Sequence, residues 1–476
     1  MPEELAGFPW WEVAFDQAGK RTDPATDPTA LGGIATGLDL AGVTDLLVMC
    51  HGWKNDRTIG RMLYEQFFAQ LRAVLDEHPP QPGVSLGAMG IYWPSLLWPD
   101  DRAAAASGGT AVSGGGGAAS LAATVPPAVL ATGGAVVSEL KQVYPDPRQQ
   151  TALDELGSLL DEQPEDKAAL ERFQALLREL VPPSGEDGAT GLGEPSDAGL
   201  RLLVDGDPQE VFDTLSADAE IRAPQGAVGL GSPFHALWAG AKEALRQATY
   251  WEMKNRAGTV GQRGLGPLIG ALHHALPGLR VHLAGHSFGA RAVSFALAGL
   301  PGSQPPAGDA AAPSPIKSLM LLQGAFSHYA FAAQLPFDRS RGGALAGMAA
   351  RVDGPLLVTH SLADLAVGRL YPLASLLAHQ DASGLVDVDE LTERWWAMGH
   401  RGAHGVPAVE ATLGAVGTAY PRTPGGFVNL DGNAVIRAGG LPAGAHSDIF
   451  HPQVAWALLA GAGVVEAEPA GKPLGS

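Results

Sequence analysis

The chain has 476 residues, 46% hydrophobic and only 17% charged, enough apolar material for one large or two ordinary cores. Its formal charge of −19 argues against nucleic acid and against an anionic membrane surface as partners, and reads most simply as a solubility feature. One cysteine, Cys50, leaves no intrachain disulfide, and its place inside an apolar run points to packing rather than chemistry.

In chain order, the N-terminal MPEELAGFPWW has neither a basic segment nor a long apolar one, so no signal peptide and a cytoplasmic location are expected. Residues 10–15 form a leading strand. Leu46 to Cys50 is a continuous apolar run, as in a strand buried on both faces. Residues 58–78 carry helical spacing through Met62, Phe67, Leu71, Val74 and Leu75, and 88–93 form the next strand.

The alternation then breaks. Residues 103–137 hold no charge and are mostly Ala, Gly, Ser and Thr. Residues 151–181 are acidic with one leucine-rich helical face, and 182–197 are loop-like. Residues 96–231 are therefore expected to be one insertion, a cap or lid over the carboxyl ends of the strands. Small residues such as Gly109, Ser113 and Gly117 suit close helix packing, but Ala and Gly supply little transfer energy and Pro126-Pro127 interrupt the run. No stable membrane span is expected.

The alternation resumes with helices at 236–255 and 265–276 and strands at 281–284, 316–322 and 356–359. Residues 382–417 read as a second, less regular insertion. A last strand or hairpin falls in 426–436, and a closing helix at 453–462. Alternating strands and helices imply an α/β fold with a mostly parallel sheet covered on both faces.

The sharpest motif is Val281-His282-Leu283-Ala284-Gly285-His286-Ser287-Phe288-Gly289, followed at once by helical sequence. Strand, tight glycine-flanked turn and helix would expose the Ser287 hydroxyl at the carboxyl edge of a sheet. With 63 glycines the bare G-x-S-x-G pattern arises easily by chance, and Gly83-Val84-Ser85-Leu86-Gly87 also matches it. Ser85 lacks the preceding strand and following helix, so it is read as a strand start.

With Cys50-His51-Gly52-Trp53 after an early strand, His360-Ser361-Leu362-Ala363-Asp364 after a late one, and Gly444-Ala445-His446 near the end, the chain resembles the α/β-hydrolase superfamily. The order Ser, Asp, His is the superfamily's. The resemblance spans roughly 10–95 and 235–462, giving a catalytic domain of 1–95 and 232–476 interrupted by the 96–231 insertion. It implies a Ser287–His446–Asp364 triad, with the Phe288 and Trp53 amides as oxyanion donors. The competing, weaker readings are Asp364 as a helix cap and His51-Gly52 as an ordinary strand end. Asp353, Asp338, His451, His400 and His404 are weaker rivals. His51, Gly52, Trp93 and His286 are expected to line the substrate site, and an apolar cluster (Tyr92, Trp93, Leu96, Leu97, Trp98) at the carboxyl end of a strand is expected to form part of the pocket, though it also reads as packing.

No phosphate loop is present, and the HRGAH segment with His400 and His404 lacks the glutamate and helix of a zinc motif, so no metal or cofactor is expected. The polar run Trp251 to Arg256 has no assigned chemistry. The expected function is a serine hydrolase acting on carboxylic esters, esterase- or lipase-like, with a small-molecule ester or lipid-like substrate. Acyl transfer on the same residues, and a non-catalytic binding module, are the alternatives.

Overall fold

The computed structural model describes residues 3–22, 31–96, 98, 132–181, 197–222, 233–302, 314–368, 396–439 and 443–467. Among these residues nine strands form one sheet: β1 Glu3–Leu5, β2 Phe8–Ala14, β3 Asp45–Cys50, β4 Leu86–Tyr92, β5 Arg280–His286, β6 Ile316–Leu322, β7 Leu356–His360, β8 Ala408–Thr412 and β9 Phe427–Asp431. Their order is β1-β2-β4-β3-β5-β6-β7-β9-β8. Eight strands run parallel, and β1 pairs antiparallel with β2 at the edge. The architecture is α/β with a mostly parallel sheet, as expected.

The chain leaves β3 to form β4 on one side, then returns to place β5 on the other. The order therefore reverses between β3 and β5, and in open α/β sheets the crevice beyond such a reversal is where ligands bind.

Side chains alternate across the pleat and are buried on both faces. Val48, Ile91, Leu283, Leu321 and Val358 face one core, and Leu47, Met49, Ala284, Met320 and Leu357 the other. The second face is covered by α2 (Arg57–Glu77) and by a C-terminal helix, Pro452–Ala462. Helix α2 begins where Asp56 accepts a hydrogen bond from the Ile59 amide at 2.9 Å, and it buries Leu63, Phe67, Leu71 and Val74. A shorter helix, α1 (Leu31–Leu40), packs on the first face.

The described part of the expected insertion is helical: α3 Gly133–Val143, α4 Pro147–Glu162, α5 Lys167–Leu180, α6 Asp197–Asp205 and α7 Pro208–Arg222. The acidic stretch read as continuous from 151 to 181 is two helices. Gln163 turns left-handed, Pro164 lacks the amide to continue, and Asp166 caps the next helix through the Ala168 amide at 3.0 Å. Most of the uncharged stretch, 103–131, and Leu97 lie outside the described residues. Buried side chains of α3 to α7 join the first sheet face in one continuous core. Among the described residues no helix is long and apolar enough to cross a membrane.

Helices α8 (Pro233–Thr259) and α9 (Gly266–Ala275), expected as separate, are joined by a π-helical turn, Val260–Leu265. The turn packs tightly on α10 (Phe288–Gly299): a Cβ on Gly261 would lie 2.1 Å from the Ala292 carbonyl oxygen. The expected irregular segment 382–417 contains β8, and the last strand is β9 alone rather than a hairpin.

Candidate active site

Ser287 sits between β5 and α10, at the β3/β5 reversal. Its backbone is left-handed (φ 59°, ψ −121°), a conformation that costs a non-glycine residue ~1–3 kcal/mol and that persists only when the surroundings impose it. They do so here. The Ser287 amide donates to the Leu322 carbonyl at 3.0 Å, and its carbonyl accepts from Ala290 and Ala325 at 3.1 and 3.2 Å. The flanking glycines are obligatory: a Cβ on Gly285 would meet the Gly289 oxygen at 2.3 Å, and one on Gly289 the Cys50 oxygen at 2.0 Å. The amide of Phe288 is the first of α10 and so has no acceptor within the helix.

His446 lies in the loop between β9 and the C-terminal helix. Its Nδ1 is 2.8 Å from Asp364 Oδ2, and its Nε2 is 2.8 Å from Ser287 Oγ. An ionised carboxylate only accepts, so the proton sits on Nδ1 and the Nε2 lone pair receives the serine O–H. The loop is pinned by the Ala445 amide on the Ala363 carbonyl (2.9 Å), and left-handed Gly444 fits where a Cβ would lie 2.3 Å from that oxygen.

Asp364 is fully buried, past the end of β7. Its Oδ2 accepts from both His446 and Gln323 Nε2 (2.9 Å), while its Oδ1 accepts the Val367 amide (3.2 Å). The helix-cap reading and the reading as partner of His446 thus both describe it. Gln323 was not foreseen. It follows β6, is fully buried, and is left-handed at φ 47°.

Four of the five rivals are engaged elsewhere, and the fifth, His400, faces Asp364. Asp353 pairs with Lys317 at 2.6 Å, Asp338 binds Ser340, and His451 donates to Asp448 at 2.8 Å. His404 Nε2 faces the Arg401 carbonyl at 3.1 Å, and among the described residues no three potential ligands converge on a metal position. Ser85 lies just before β4, its carbonyl taking the Thr44 and Asp45 amides.

The loop after β3 runs alongside the serine. A Cβ on Gly52 would be 2.6 Å from Ser287 Cβ and 3.1 Å from its Oγ. The Gly52 carbonyl is turned toward Asn55 Nδ2 (3.1 Å) and His51 Nδ1 (2.9 Å). In a trans peptide the next N–H points the opposite way, so the Trp53 amide is directed away from Asn55. Asn55 is itself held by Ser95, through 3.1 and 2.8 Å bonds to its amide and carbonyl. Neither residue was legible as part of the site.

Of the residues expected to line a substrate pocket, Gly52 abuts Ser287, while His51, Trp93 and His286 are buried behind it. His51 stacks on Trp93 at 5.7 Å, and Trp93 Nε1 donates to the His51 carbonyl at 2.9 Å. His286 Nε2 donates to the His446 carbonyl at 2.8 Å. Burial pushes His51 down to about 4 and His286 to about 3, so both are neutral at pH 7 and add no positive charge beside His446. Tyr92, Leu96 and Trp98 are buried too; Trp53 packs on Tyr250 and Phe288.

The polar run Trp251 to Arg256 lies within α8 and ties elements together. Arg256 donates to the Pro94 and Val143 carbonyls at 3.0 and 2.8 Å, and Arg291 Nε to the Lys254 carbonyl at 2.9 Å.

A second Ser–His–Asp chain lies at the opposite edge of the sheet. His282 bridges Ser318 Oγ and Asp45 Oδ1, each at 2.9 Å. All three are at most 2% exposed, so that chain is closed to any substrate. Comparisons with protein-family models, with curated proteins and with solved structures return no match to the chain, so the functional reading rests on geometry.

Proposed function

We propose that this chain is a serine hydrolase of α/β-hydrolase architecture that cleaves carboxylic esters through an acyl-enzyme. The observation that carries the reading is the Ser287–His446–Asp364 relay, two 2.8 Å bonds long, on a strained turn at the sheet reversal.

Ser287 Oγ attacks the ester carbonyl carbon while His446 Nε2 takes its proton. The oxyanion is received by the Phe288 and Trp53 amides, fixed donors that need no reorganisation. Asp364 holds the Nδ1–H tautomer and stabilises the imidazolium. His446 then returns the proton to the leaving alcohol, and the C–O bond breaks. Water, deprotonated by His446, attacks the acyl-enzyme; the acid leaves and Ser287 regains its proton. The helices of the 96–231 insertion, packed against α8, act in this reading as a cap. A small ester or lipid-like molecule is the substrate, with no cofactor in any step.

The test is hydrolysis of p-nitrophenyl esters of graded acyl length by the wild type and by Ser287→Ala. Turnover lost in a folded Ser287→Ala supports the reading, and full turnover in it overturns the assignment.

A further inference from the structure

We propose that Gln323 is a positioning residue for the acid–base pair, its amide fixing the Asp364 oxygen that receives the His446 proton. The inference rests on the ester-hydrolase reading for its kinetic test but stands on its own geometry. A left-handed position favours glycine on backbone grounds, so a buried glutamine at φ 47° implies that its side chain is needed there. Its surroundings ask for an amide. Two acceptors, Asp364 Oδ2 at 2.9 Å and the Gly399 carbonyl at 3.2 Å, face Nε2, and the Thr359 hydroxyl donates to Oε1 at 3.0 Å. Thr359 Oγ1 also accepts the Gln323 amide at 3.1 Å, which holds the backbone in its strained state. Two N–H donors and one acceptor at that reach match a glutamine side chain and fix which way the amide points.

The consequence is geometric. With His446 Nδ1 and Gln323 Nε2 on Oδ2 and the Val367 amide on Oδ1, the carboxylate plane cannot rotate. Without Gln323, Oδ2 keeps one protein donor in a site closed to bulk solvent, since Asp364 is fully buried. The carboxylate would then draw the His446 proton more strongly, and its plane would be free to turn. The other ionisable groups facing the pair are His400, toward Asp364, and His286, against His446.

The test is Gln323→Met, which keeps length and removes both donors. Removing a hydrogen bond to a charged group predicts a kcat loss of roughly 10- to 100-fold with KM unchanged, and an acid limb of kcat/KM moved to higher pH. A folded Q323M with kcat within about twofold of wild type and a superimposable pH profile would overturn the proposal. If Q323M does not fold, Gln323→Leu, which also removes both donors at similar volume, is read the same way. The low-field proton resonance of His446 Nδ1–H, identified by its loss in His446→Ala, provides a readout independent of turnover. It should move in the Gln323 variant, and an unmoved resonance refutes the role. If the wild type cleaves no ester, the hydrolase reading fails while this resonance still decides the place of Gln323.

Discussion

Lowering the pH from 7 to 5 should destabilise the fold by about 4 kcal/mol through His51 and His286 alone. Both are held neutral by burial, His51 at about 4 and His286 at about 3, against 6.5 for an ordinary histidine. At 1.36 kcal/mol per pH unit, charging them in the folded state is roughly 3 and 5 kcal/mol less favourable than in the unfolded chain. The sign follows from proton counting. Between each depressed value and 6.5 the unfolded chain binds the proton and the folded chain does not. Stability is therefore complete above 6.5 and falls with pH until the folded value is reached. At pH 5 each has lost about 2 kcal/mol, a large share of a typical 5–15 kcal/mol total. Burial also lowers His282, His360 and His400, in the same sense. Glu252, raised by burial, works in the opposite sense. The assay is urea unfolding followed by tryptophan fluorescence at several pH values between 7 and 5. A dependence of stability on pH between 5 and 6 weaker than one proton would refute the reasoning, as would an unchanged slope in His51→Asn/His286→Asn.

Three further outcomes are expected. Asp364→Asn should lower kcat on the order of 10⁴-fold with KM little changed, because the amide no longer holds the Nδ1–H tautomer; steady-state kinetics on a p-nitrophenyl ester checks this. Gly52→Ala, whose Cβ would stand 3.1 Å from Ser287 Oγ, should lower kcat/KM by at least roughly 100-fold, checked by the same assay alongside a melting curve. Ser318→Ala should leave ester turnover within about twofold while destabilising by roughly 1–3 kcal/mol in urea, since it strips the hydroxyl from buried His282 Nδ1 far from the site.

The parts of the fold visible in the sequence are those whose burial is one-dimensional. Leu46 to Cys50, Leu319 to Leu322 and Leu356 to Val358 are unbroken apolar runs because both sheet faces are covered. Strand β8 escaped notice because it is an edge: Val409 and Glu410 are exposed, leaving no apolar pattern to find. The junction of α8 and α9 was hidden by Gly261 and Gly264, which read as a break but serve close packing through a π turn. Pro164 was a local stop signal that the reading of 151–181 as one helical stretch passed over.

In the site, the residues with intrinsic chemistry stood out by type and by place at strand ends. The amides that hold them did not. Gln323 meets Asp364 across 41 positions, and Asn55 meets Ser95 across 40; nothing local marks either pairing. His51, Trp93 and His286 were visible, but their burial behind the serine is set by residues distant in sequence: His51 by Tyr64 of α2, Trp93 by the first-face core and His286 by His446.

Treating the pure protein with a fluorophosphonate probe and mapping the modified peptide by mass spectrometry tests the central claim most directly. An activated serine at the sheet reversal predicts a single adduct on Ser287, none on Ser85 or Ser318, and none at all in His446→Ala. An unmodified Ser287 in the folded wild type, or labelling that survives in His446→Ala, would contradict it.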